Sequence, residues 1–314
     1  ALKGYSVNLW VYEEDLCYRI RESRVNDVYL PELTLSESIK PTNSLEEALS
    51  GMEMVVSAVP SQLVRKVMSK AVSFVSEKAV IVSLSKGIED GTLMLMSDLL
   101  KDILPSRLHG NLCYLSGPSF AKEVAQKMPT AVVIASENRE AAKKAQELFT
   151  TSYFRVYTHD DIEGVELGGA VKNVIAIATG ISDGLGFGYN TRAALITRGL
   201  AEIARLGVKL GANPLTFSGL AGMGDLVLTC TGELSRNRTV GFKIGQGMTL
   251  REATEGMRMV AEGIATARAV YELSRKVAVD MPIAEHVYKI LYEGLPAKNA
   301  VISLMSRESK KELE

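Results

Sequence analysis

The sequence predicts two domains of different class: an α/β domain with a parallel sheet covered by helices over residues 1–157, and an all-α domain over residues 158–314. Three observations carry this. At roughly 150 residues per domain, 314 residues suffice for two cores. In the first half, short apolar runs alternate with amphipathic stretches. After about His159 the strand-like runs stop, and helical periodicity continues to the end.

The elements follow in order. Residues 6–11 read as a strand, 44–50 as a helix introduced by a Ser cap, and 52–59 as a second strand ending at Pro60. A helix over about 62–75 leads to a third strand, 79–84, which stops at Ser85-Lys86-Gly87. A fourth, 112–115, ends at Ser116-Gly117-Pro118-Ser119, and runs at 131–135 and 154–157 complete the set. In open α/β sheets ligands lie beyond the carboxyl ends of the strands, so Lys86 and the turn 117–121 mark an expected site. Such a Rossmann-type dinucleotide-binding domain needs a first strand followed by a Gly-rich turn whose amides hold a pyrophosphate. Here Ala1-Leu2 reads as the end of a helix leading into residues 6–11, with no such turn before it. The expectation is that the first strand and Gly-rich loop are missing through N-terminal truncation.

Composition narrows the chemistry. Lys plus Arg is 36 against 37 for Asp plus Glu, a net charge of −1, which leaves no broad basic field for nucleic acid. Cys17, Cys113 and Cys230 are scattered and odd in number, so they read as buried thiols in a reducing compartment. The histidines are scattered too, and no metal site of ordinary spacing is expected. Redox chemistry would need an organic cofactor. No signal-like start is present, and the least charged stretch, 173–191, still contains Asp183 and repeated glycines, a poor match to a spanning helix. Cytoplasm is the default expectation.

Four segments carry candidate chemistry. The stretch 165–181 is small and apolar, yet holds Lys172 beside Asn173. Burial would depress the pKa of such a lysine and suit it to proton exchange; the alternative is a lysine snorkelling at a helix rim. In 219–229 three glycines precede Asp225, which either leaves the acid exposed to a ligand or makes it a helix cap. Ser235-Arg236-Asn237-Arg238 opens a helix, a phosphate seat or a Ser cap with solvated arginines. Lys86 is open to both readings, functional residue or ordinary turn, and its place after a strand favours function.

Together these segments resemble the NAD(P)-dependent glycerol-3-phosphate dehydrogenase family from end to end. The blocks are VPS (59–61), SKG (85–87), LSGPSFAKEV (115–124), FRVY (154–157), GVELGGAVKNVIAIATGISDGLGFG (164–188), ITRGLAEIARLG (196–207), GLAGMGDLVLTCT (219–231), SRNR (235–238), VAEG (260–263) and MPI (281–283). The resemblance implies that Lys172 donates and accepts the proton. It implies that Asp225, Ser235, Arg236 and Asn237 hold the substrate with Lys86, Gly117 and Ser119, assisted by Asn173 and Thr229. Cofactor contacts are implied for Tyr12, Lys86, Ala121, Arg236, Val260 and Glu262, with no metal. The cofactor is NAD(H) or NADP(H). Related enzymes that accept a 2′-phosphate often carry Arg or His near Tyr12 and Glu13, so Tyr12, Glu13 and Glu14 favour NAD(H). The family further implies dihydroxyacetone phosphate and glycerol 3-phosphate as substrate and product, phospholipid synthesis as the destination, and a homodimer, with neither nucleic acid nor membrane as partner. Two rivals stand beside this reading: a two-domain dehydrogenase for another hydroxy acid or sugar acid, and a non-catalytic nucleotide-binding protein that kept the fold.

Overall fold

The computed structural model describes residues 1–309, 311 and 312. Its strands are β1 (Val7–Trp10), β2 (Val25–Asn26), β3 (Leu30–Thr34), β4 (Ile39–Thr42), β5 (Met54–Ser57), β6 (Val80–Ser83), β7 (Leu112–Ser116), β8 (Thr130–Ala135) and β9 (Phe154–His159). Every strand expected from the sequence is present within two residues at each end. Beyond β9 the described residues hold helices and turns only.

The expected α/β half with a parallel sheet and the all-α half are both present, and the strand pairing adds three features that the sequence reading did not contain. First, β1 pairs only with β4, in parallel, while β5-β6-β7-β8-β9 form a separate five-stranded sheet. Second, β8 runs antiparallel to β7. The connection between them carries only the five-residue helix Ala121–Ala125, too short to recross the sheet, so the chain returns directly. Third, β2, β3 and β4 were not expected: β2 has only two residues, and Pro31 and Pro41 interrupt the patterns of β3 and β4. Pro41 is tolerated because β4 pairs on one side only, leaving its missing N–H nothing to satisfy. The chain start is a turn, not a helix end, closed by Gly4 N donating to Ala1 O (2.8 Å).

Local chemistry sets the helix starts. Ser44 Oγ caps Leu45–Leu49 by accepting from Glu47 N, and Asn138 Oδ1 caps Arg139–Phe149. Helices Val64–Ala71 and Met96–Ile103 bury their apolar sides against Val55, Ile81 and Tyr114, while Arg139–Phe149 covers the opposite face through Ala141, Ala142 and Ala145.

One helix joins the two halves. Ile162–Gly184, capped by Asp161, puts Ile162 and Val165 into the core under the sheet and Leu167 to Ile181 into the core of the helical half. It is long and apolar enough to cross a membrane, yet 94% of its most apolar window is buried inside the protein. Such a helix is apolar all round because neighbours cover every face. Its tightest neighbour is helix Arg236–Gly245: a Cβ on Gly180 would fall 2.1 Å from Arg238 O, and one on Gly241 would fall 2.1 Å from Ile177 O. The two backbones therefore cross in near contact. Asp183 on the central helix pins the crossing by accepting from Arg192 and Arg238.

Candidate active site

Six of the expected residues form one hydrogen-bonded cluster. Lys172 is 7% exposed, and its Nζ donates to Asp225 Oδ1 (2.6 Å) and Thr229 Oγ1 (2.9 Å). Lys86, from the turn after β6, donates to the other carboxylate oxygen of Asp225 (2.6 Å) and to the carbonyl of Gly117 (3.0 Å). Ser119 Oγ donates to the same carbonyl (3.0 Å). The snorkelling reading of Lys172 is thereby excluded. Asp225 is 1% exposed and opens helix Asp225–Thr231, where its side chain bridges two ammoniums and caps no backbone N–H.

Glycines make the cluster possible. A Cβ on Gly168 would meet Ala221 O at 2.5 Å, and one on Gly222 would meet Phe217 O at 2.1 Å, so the wide turn Leu220–Gly224 can press onto the central helix. That contact carries Asp225 to Lys172. A Cβ on Gly169 would fall 2.7 Å from Ser116 Oγ, beside the stem of Lys86. Gly168 and Gly169 were missed in the sequence reading. The signal was there, since each glycine inside a helix costs about 1 kcal/mol against alanine and a pair calls for a packing reason.

The electrostatics follow from burial. Removal from water lowers the Lys172 pKa to about 8, a shift that Lys86 deepens and Asp225 opposes. Burial works against ionisation of Asp225, but Lys172 and Lys86 outweigh it and hold the carboxyl below its usual range. The cluster carries two positive charges against one negative, a net excess suited to an anion. Burial pushes the Cys113 thiol up to about 11 and Cys230 to about 12, so neither is a nucleophile near neutrality. All three cysteines are buried and free, as expected.

A second group continues from the next residue of the central helix. Asn173 Oδ1 accepts from Asn237 Nδ2 (2.9 Å), and Asn237 Oδ1 accepts from Gly263 N (2.9 Å). Ser235 is the expected cap of helix Arg236–Gly245, accepting from Arg238 N (3.3 Å). Arg236 stands exposed in the first turn, with its guanidinium in no ion pair among the described residues, beside free helix amides. A third group ties the halves together: Glu262 accepts from Ser61 N (3.0 Å) and from Ser61 Oγ. Burial raises the Glu262 carboxyl, while Ser61 and Arg236 pull it down. Val260 and Ala121 are exposed. Tyr12 is not drawn into these groups; it is 72% exposed beyond β1, with its ring edge on Trp10.

The position of the turns suits a dinucleotide. Tyr12, Ser61, Lys86 and Gly117 all follow the carboxyl ends of parallel strands, where such folds bind ligands. Two glycines let these turns pack closely: a Cβ on Gly87 would fall 2.4 Å from Ser61 Oγ, and Gly117, at φ +126°, would put one 3.0 Å from Val132 Cα.

A sheet domain with glycine turns at its strand ends, docked to a helical domain that presents a buried lysine, defines a two-domain dehydrogenase dependent on a nicotinamide dinucleotide. The comparisons specify which. The model of the NAD-dependent glycerol-3-phosphate dehydrogenase N-terminus matches residues 1–142 and that of the C-terminus residues 161–302, and the chain belongs to this family of oxidoreductases. It is 58% identical over 312 residues to the glycerol-3-phosphate dehydrogenase (NAD(P)+) of Geobacter sp. (strain M21), covering 99% of this chain and 93% of that protein. It is 49% identical to the same enzyme of Leptospira biflexa, with 99% and 94% covered. The crystal structure of glycerol-3-phosphate dehydrogenase from Coxiella burnetii superposes with a TM-score of 0.92 at 40% identity, covering 98% of this chain and 93% of that one.

Proposed function

We propose that the protein interconverts dihydroxyacetone phosphate and sn-glycerol 3-phosphate with NAD(H) or NADP(H), supplying glycerol 3-phosphate for glycerophospholipids. The observation that carries the reading is the Asp225 carboxylate shared by Lys172 and Lys86. A buried ammonium with a pKa of about 8 can give its proton to an alkoxide and take it back in the reverse direction. The same reading divides the chain into a dinucleotide-binding domain, 1–157, and a substrate domain, 158–314, acting as a cytoplasmic homodimer without nucleic acid or membrane.

The dinucleotide, when bound, supplies the hydride for C2; Tyr12, Lys86, Ala121, Arg236, Val260 and Glu262 would hold it. Lys172 protonates the C2 oxygen as charge develops there. Asp225 and Thr229 hold Lys172 in place, and Lys86 adds a second positive charge facing the anion. Arg236 grips the phosphate over the helix start, with Ser235, Asn237 and Asn173 lining the approach and Gly117 and Ser119 shaping the opposite wall.

Arg236→Lys is expected to raise KM for dihydroxyacetone phosphate roughly 10-fold, since one lost charge-assisted hydrogen bond costs about 1.5 kcal/mol. Unphosphorylated dihydroxyacetone should be affected much less. Equal losses on both substrates, measured as NADH oxidation by the full-length enzyme, would remove the phosphate seat and the phosphorylated substrate with it.

NADH should be preferred over NADPH. Glu13 follows β1, and its carboxylate is fixed by Tyr29 Oη (2.7 Å), with Glu14 and Asp15 in the next turn. This acidic group would repel a 2′-phosphate. The ratio of kcat/KM for the two cofactors decides; a preference for NADPH shows that the acids do not face the ribose, and Glu13→Arg would then change little.

A further inference from the structure

Between the sheet and the central helix lies a second set of buried polar groups. The hydroxyls of Ser57, Ser83, Tyr114 and Ser116 are buried and bond to no protein atom. In the strand register Ser57 lies opposite Ser83, and Ser83 opposite Tyr114, so three of them form a row across β5, β6 and β7. Ser116 is two residues along β7, on the same face as Tyr114. That face packs against Ile162 and Val165 of the central helix. The next helical residue, Glu166, is also buried, and its carboxylate accepts from Ser97 N (3.0 Å) and Ser97 Oγ. It lies three residues before Gly169, on the same side of the helix that meets the row.

The other end of the row abuts the lysine cluster. A Cβ on Gly169 would lie 2.7 Å from Ser116 Oγ and 3.5 Å from the stem of Lys86, and Lys86 Nζ donates to the carbonyl of the neighbouring Gly117. Buried hydroxyls without partners are rare, and each left dry costs about 1–3 kcal/mol. Four in one place are satisfied together if water bridges them, because every hydroxyl both donates and accepts.

We propose that Glu166 exchanges protons with the lysine pair at Asp225 through the hydroxyls of Tyr114, Ser83 and Ser116 and the water ordered between them. The proposal rests on the reading of Lys172 as proton donor. In the reductive direction Lys172 loses one proton to the substrate oxygen. The Glu166 carboxyl then releases one proton into the row, each member accepts one and passes one on, and the lysine pair regains the proton it lost. Glu166 is left as a carboxylate and regains a proton before the next turnover. Its position suits this: burial raises the carboxyl to about 8, with Asp98 and Glu163 adding to the shift and Ser97 opposing it, which matches Lys172 at about 8. Tyr114 is held far above neutrality by burial, so it carries protons without ionising.

The test compares steady-state reduction of dihydroxyacetone phosphate by full-length wild-type enzyme, Glu166→Gln, Tyr114→Phe and Lys172→Ala. Gln keeps both contacts to Ser97, and Phe keeps the packed ring. Glu166→Gln and Tyr114→Phe should each lower kcat about 10-fold with KM unchanged, and a small diffusible acid such as imidazolium should restore much of the loss. Wild-type kcat in Tyr114→Phe, or a loss in either variant that imidazolium does not restore, overturns the relay. Should Glu166→Gln fail to fold, Tyr114→Phe decides alone. Undiminished turnover in Lys172→Ala would sink the donor assignment itself, and the relay with it.

Discussion

Lys172→Ala is expected to lower kcat by about 100-fold or more in both directions, the usual scale for a lost acid–base group. Dinucleotide binding should be little changed, because Lys172 faces Asp225 and Thr229 in the helical half. The wild-type pH profile carries the same signature. Reduction needs the ammonium, so its rate should fall as pH rises through about 8; oxidation needs the amine, so its rate should rise over the same window. Near wild-type turnover in the alanine variant, or profiles that move together in the two directions, would show that another group transfers the proton.

Asp225→Asn should have the second largest effect. The carboxylate is the shared counter-charge of two lysines, and removing one partner of a buried ion pair costs about 3–5 kcal/mol. Asparagine cannot supply that charge, and its amide would point two donors at two ammoniums. Without the field that opposes desolvation, the Lys172 pKa should drop below 8, leaving amine at neutral pH. Reduction should then be lost near pH 7 and partly regained in acid, alongside a clear fall in the urea midpoint. A variant with wild-type stability and an unshifted profile would contradict the shared-charge geometry.

Much of the site could be read locally. Lys172 and Asn173 stood out as polar residues in an apolar helix, and Ser235 as a cap, because each is a property of a few consecutive residues. For Asp225 the local reading left two alternatives, an acid facing a ligand and a helix cap. Three nearby glycines imply backbone freedom, and only the packing of 220–224 against Gly168 shows that this freedom buries the acid. The antiparallel β8 escaped too, because strand patterns carry no direction.

The order of residues by itself determined six of the nine described strands, the caps at Ser44 and Ser235, the buried cysteines and the family, since these depend on side-chain periodicity and short motifs. Tertiary structure alone decided which charges meet. Lys86 and Asp225 are 139 residues apart and Lys172 and Asp225 are 53 apart, yet each pair closes to 2.6 Å. A pKa depends on distance and on exclusion of water, and both come into being only when the sheet and helical halves pack together.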